Sequence, residues 1–120
     1  MNTLVYYLYR DGSNYKVHNE VVLKGEITPE QISAIAESLD SGENFIPSQV
    51  GLPERRFENW TEDDGLWFEL DPDTAFFHTV QEPTIEMTLD ELTMRFQAAK
   101  GAWEDGSAMP SVPVEQNDYQ

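Results

Sequence analysis

Between positions 54 and 73 the chain sets carboxylates among large aromatic side chains at a density that invites chemistry. Glu54, Glu58, Glu62, Asp63, Asp64, Glu69, Asp71 and Asp73 stand beside Trp60, Trp67 and Phe68. Three kinds of chemistry draw on such residues. Clustered oxygens can hold a divalent cation, but a calcium loop needs ligands at set alternate positions and a twelfth-position glutamate, and this spacing does not match. Two carboxylates can cleave a glycosidic bond as acid and base. With 23 acidic residues in 120, however, no pair is singled out for that work. The third use is recognition, in which rigid aromatics supply contact area and negative charge draws in a basic protein. Of the three that use fits best, and it makes Glu54, Glu58, Trp60, Glu62, Asp63, Asp64, Glu69, Asp71 and Asp73 the candidate protein-binding residues. The plainer alternative is that the strand aromatics are core and the acids of the connecting turns are simply solvated. Within "ENWTEDDGLWFEL" the first part reads as an approach and turn. The "LWFEL" part reads as a strand whose Trp67 and Phe68 are mainly structural.

Other catalytic groups are sparse. The two histidines, His18 and His78, each fall inside an expected strand without a neighbouring ligand at metal spacing. Either would serve a hydrolase only if the fold brought it to a carboxylate in a pocket. There is no cysteine, which removes thiol nucleophiles, disulfides and thiolate metal sites. No glycine-rich phosphate loop or other cofactor motif is present. The pattern is that of a non-enzymatic protein without a cofactor.

Charge supports the same expectation. The formal net charge is -16, with seven basic residues in all. Residues 1–60 hold 9 acids and 5 bases, and residues 61–120 hold 14 and 2, so the field comes chiefly from the second half. Such a chain repels nucleic acid and anionic membrane and attracts basic surfaces. Arg55-Arg56 is the one adjacent basic pair, and with Glu54 and Glu58 around it local salt bridges are expected. The apolar stretch near the start is far too short to span a bilayer and lacks a preceding basic region, so a cytoplasmic location is expected.

Positioning these groups falls to an α+β domain. "LVYYLY" (4–9) reads as a strand, central in the sheet because its apolar run suggests burial on both faces. Asp11-Gly12 is a turn pair, and residues 15–25 make the returning strand. Thr28, Pro29 and Gln31 open a helix with a capping box, Ile32, Ile35, Ala36 and Leu39 form its stripe, and Gly42 is its expected stop. Phe45 and Ile46 anchor an irregular segment. Residues 66–70 and 75–80 are expected strands joined as a hairpin through Asp71–Asp73. Thr88 caps a second helix, with Glu91 completing a box and Leu89, Leu92, Phe96 and Ala99 facing inward; Trp103 extends the stripe or folds back as an anchor. The order is ββαββα, about four mostly antiparallel strands with both helices on one face. Residues 1–103 form the domain and 104–120 an acidic disordered tail. Aromatics outnumber what one sheet face holds, so the irregular segment or a second copy is expected to cover some.

The segments "YRDGSNYK" (Tyr9–Lys16), "FIPSQVGLP" (Phe45–Pro53) and "ENWTEDDGLWFEL" (Glu58–Leu70) together resemble a family of small, uncharacterised acidic bacterial proteins. The resemblance covers roughly residues 4–80 and implies a single bacterial domain. It brings no catalytic residue, substrate or cofactor. In size and charge the chain is also similar to acidic phage-encoded inhibitors and plasmid antirestriction proteins. The functional expectation is a module that binds a basic or nucleic-acid-binding protein, as an inhibitor or DNA mimic. A structural homodimer and a small hydrolase with a His–carboxylate pocket are the alternatives.

Overall fold

A computed structural model describes residues 1–10, 15–56 and 65–104. Among them the chain runs β1 (Asn2–Arg10), β2 (Lys16–Leu23), α1 (Pro29–Ser38), β3 (Asn44–Phe45), a 3-10 turn (Pro47–Val50), β4 (Phe68–Glu69), β5 (Phe76–Thr79) and α2 (Leu89–Ala99). This is the expected α+β architecture, with all strand pairs antiparallel. The Asp11-Gly12 turn and the expected tail beyond residue 104 lie outside the described residues. The flanks of that turn pair as a hairpin from Arg10↔Lys16 to Thr3↔Leu23.

β1 is central, as its composition suggested, but it is buried on one face only. Thr3, Val5, Tyr7 and Tyr9 are buried, and the alternating Leu4, Tyr6, Leu8 and Arg10 are half-buried. The period of two in side-chain direction divides an apolar run that looked uniform. The buried face carries one core, built with Phe45, Phe68, Ile35, Leu39, Leu89, Leu92, Phe96 and Trp103. Each fully buried aromatic or aliphatic side chain contributes about 1.5–3 kcal/mol.

The two short strands of the second half do not form a hairpin with each other. Both pair with β1, end to end along the edge opposite β2. Leu8 faces Glu69 and Val5 faces Phe76, so three steps along β1 are matched by seven along its partner, leaving four extra residues in an arc. Asp71 organises that arc. Its Oδ1 accepts from Asp73 N at 3.0 Å, and its carbonyl accepts from Thr74 N and Ala75 N at 3.0 and 2.9 Å. Tyr6 N then donates to Ala75 O at 2.8 Å, restoring the ladder. The DPD segment is a turn, but it bends within one edge and does not reverse the chain.

Both helices begin where expected, and α1 ends earlier than expected. Thr28 and Gln31 make both halves of the capping box. Thr88 accepts from Glu91 N at 3.0 Å, but the Glu91 carboxylate turns to Arg95 at 2.6 Å, so the second box is half made. α1 stops at Ser38, four residues before Gly42, which instead serves a turn with φ 83°. There the Trp103 indole N–H donates to Ser38 O at 3.0 Å, supplying a partner for an end-of-helix carbonyl. Trp103 therefore folds back as an anchor. Gly25, at φ 95°, is the residue that permits the turn from β2 towards α1, and Thr3 Oγ1 braces it by donating to Gly25 O at 2.8 Å and accepting from Ile27 N at 3.0 Å.

Candidate functional site

The arc between β4 and β5 rises on the sheet face that the helices leave open. It brings Asp71 beside Glu69, and Glu43 joins them because its carbonyl accepts from Leu70 N at 2.8 Å. With Tyr6, Leu8 and Thr74 these residues line a hollow of about 270 Å³. Tyr6 and Leu8 give it an aromatic and aliphatic floor, and three acidic residues line the rest with Thr74.

Arg10 partly balances the rim. Its Nε and Nη2 donate to Glu69 Oε2 and Oε1 at 2.8 and 3.1 Å, a two-pronged contact of the kind a guanidinium makes well. The hydrogen bond to Glu69 raises the Arg10 pKa above its ordinary value. The charges of Glu69 and Glu43 add to the effect, while partial desolvation opposes it. Glu43 and Asp71 make no ion pair among the described residues. Such a hollow suits the end of a lysine or arginine from another molecule, whose methylenes would lie on Tyr6 and Leu8 and whose cation would meet carboxylates.

The candidate residues are thus divided. Glu69 and Asp71 meet in the hollow, and exposed Asp73 stands on the arc beside it. Glu54 is used elsewhere: it accepts from Ser48 N at 2.8 Å and pairs with Arg56 at 2.7 Å, both side chains being less than one-fifth exposed. Arg56 also lies over the rings of Phe68 and Tyr9, 5.2 and 5.9 Å from their centroids, so the expected surface pair is largely internal. Glu58, Trp60, Glu62, Asp63 and Asp64 lie outside the described residues. Phe68 is fully buried and Trp67 packs edge-on to Trp103 at 6.5 Å, the structural roles expected of them.

Glu43, Tyr6 and Leu8 were not singled out from the sequence. Glu43 flanks a two-residue strand too short to show a pattern. Tyr6 and Leu8 could have been assigned to an open face by their alternation with Val5, Tyr7 and Tyr9.

The histidines stand on exposed strand positions. His18 stacks on Tyr6, with ring centroids 5.6 Å apart, and its Nδ1 hydrogen-bonds the Tyr6 hydroxyl. His78, on β5, is opposite Thr3. Neither forms an ion pair with a carboxylate among the described residues, and no trio of described His, Asp or Glu side chains converges as a metal site. No helix among the described residues is long and apolar enough to cross a membrane. Comparison with protein-family models, curated proteins and solved structures returned no match.

Proposed function

We propose that the chain is a non-enzymatic acidic module that binds a protein with a basic surface. On this reading a partner lysine or arginine docks at the hollow over Tyr6 and Leu8. The observation that carries the reading is that Glu43, Glu69 and Asp71 line one hollow together with Tyr6 and Leu8 on the uncovered sheet face. Charge alone would favour contact with any cation. Carboxylates around a floor that fits a side-chain stem add a preference for a protein-borne one. Acting as an inhibitor or DNA mimic is the form this binding takes when the partner's basic surface is its nucleic-acid site.

Two variants with equal changes in net charge separate site from bulk charge. Glu43→Gln/Asp71→Asn neutralises the rim, and the amide oxygen introduced at position 71 can still accept the Asp73 N–H. Glu30→Gln/Glu37→Gln neutralises two exposed positions on α1. The immobilised chain is used to capture binders, and each captured protein is purified and titrated against all three forms by calorimetry. The expected result is a loss of about tenfold or more for the rim variant and clearly less for the helix variant, since close charge pairs outweigh distant screened ones. Equal losses would leave only nonspecific charge, and the reading would fail. If the captured partner binds nucleic acid, competition with that nucleic acid tests the mimic form.

A further inference from the structure

The second edge of the sheet has its own pattern. At the end of β2, Thr84 covers the backbone of Val22: Thr84 N donates to Val22 O and Val22 N donates to Thr84 Oγ1, both at 2.9 Å. Val22 therefore turns its N–H and C=O away from β1. By the alternation of an antiparallel ladder, Glu20, His18 and Lys16 do the same. Among the described residues nothing pairs with the backbone groups of these three on that edge. Their side chains are all exposed.

We propose that this edge is a self-association surface, and that its occupant is a second copy of the same chain. The Thr84 contact closes the edge at Val22, so the open stretch from Lys16 to Glu20 is centred on His18. A two-fold axis through that centre pairs β2 with its copy in antiparallel fashion. His18 then faces the partner's His18, Lys16 faces the partner's Glu20, and Glu20 faces the partner's Lys16. All three positions turn their hydrogen-bonding groups outward, so the register satisfies the backbone at each of them. The same register sets a cation opposite an anion twice. Edge charges normally protect a strand from pairing, because like meets like or a buried charge goes unmatched. Here the spacing of Lys16 and Glu20 about His18 makes the edge complementary to itself, as an isologous interface requires.

The overall charge opposes association, since each chain carries -16. At about 0.15 M salt the screening length is about 8 Å, which removes most long-range repulsion while groups in contact still interact. The surface is distinct from the hollow described above, and its test is independent of whether a basic partner exists.

Sedimentation equilibrium of the full chain at about 0.15 M salt and up to about 0.3 mM protein measures the monomer–dimer constant. The wild type is expected to dimerise. Glu20→Lys sets Lys16 against a lysine and should weaken the dimer by about tenfold or more, although it lowers the net negative charge. Lys16→Glu should weaken it likewise, and the double exchange Lys16→Glu/Glu20→Lys should restore it, because the pairing is recreated with reversed signs. Circular dichroism of each variant checks that the monomer is folded. A wild type that stays monomeric overturns the proposal. So does a Glu20→Lys chain that associates as well as or better than the wild type, which would mean that net charge alone governs contact.

Discussion

Trp103 ties the end of the described chain to the core, and replacing it measures how much that attachment contributes. The indole is 8% exposed and packs edge-on against Phe45, Phe96 and Trp67, at 6.4, 6.0 and 6.5 Å between centroids. Its N–H donates to Ser38 O at 3.0 Å. In Trp103→Phe the aromatic contacts largely persist and the hydrogen bond is lost, leaving a buried helix-end carbonyl without that donor. A net hydrogen bond is worth about 1 kcal/mol and the smaller ring costs about as much again, so a loss of about 2 kcal/mol is expected. Trp103→Ala removes the ring contacts as well and should cost about 3–5 kcal/mol. Urea unfolding followed by circular dichroism, at fixed salt and with the slope m compared between variants, gives both values. A cost below about 1 kcal/mol for Trp103→Ala would refute the reasoning, because a ring with these neighbours cannot be removed so cheaply from a shared core.

Two further substitutions test the polar supports of the buried face. Asn19 Nδ2 donates to Arg55 O at 3.2 Å and its Oδ1 accepts from Arg55 N at 2.9 Å, so Asn19→Ala should cost about 2 kcal/mol in urea unfolding; a change within about 0.5 kcal/mol would show that the segment around Arg55 needs no such clamp. Tyr7 donates to Pro53 O at 2.6 Å, and burial, with the Glu54 charge adding, pushes its phenol pKa well above the ordinary value. An unfolded tyrosine ionises near pH 10 while folded Tyr7 stays protonated, so above that pH the unfolded state binds fewer protons and the native state loses stability. From pH 9 to pH 11 the wild type should therefore lose about 1 kcal/mol more than Tyr7→Phe, and parallel losses would contradict this.

What could be read from sequence was mostly local. The capping box at Thr28 and Gln31 depends on residues three apart, and it formed as expected. The half-made box at Thr88 shows the limit of that rule, because Arg95, one turn further on, competes for the Glu91 carboxylate. Gly42 looked like the end of α1, yet the carbonyl of Ser38 finds its donor in Trp103, 65 residues away, and no local pattern carries that information. The supposed hairpin failed for a similar reason. Turn residues at Asp71–Asp73 indicate a bend, but whether the chain reverses or resumes along the same neighbour depends on the free edge of β1. The hollow inherits this difficulty, since Glu69 and Asp71 were visible as acids while Leu8 meets them through its pairing with Glu69 and Glu43 through its carbonyl contact with Leu70 N, both long-range contacts.

The double use of β1 has a consequence in time. β1 is first in chain order, yet the strands that occupy its second edge lie at Phe68–Glu69 and Phe76–Thr79. During synthesis the β1–β2 hairpin can form early, but one side of its central strand stays open until almost the whole domain has left the ribosome. The closing contacts span about sixty to seventy-seven residues, judged from Leu8↔Glu69 and Asn2↔Thr79, and such long closures slow folding. For that interval the nascent protein exposes a tyrosine-rich strand edge to its surroundings, and aggregation is most threatening then, before Phe76 arrives to cover it.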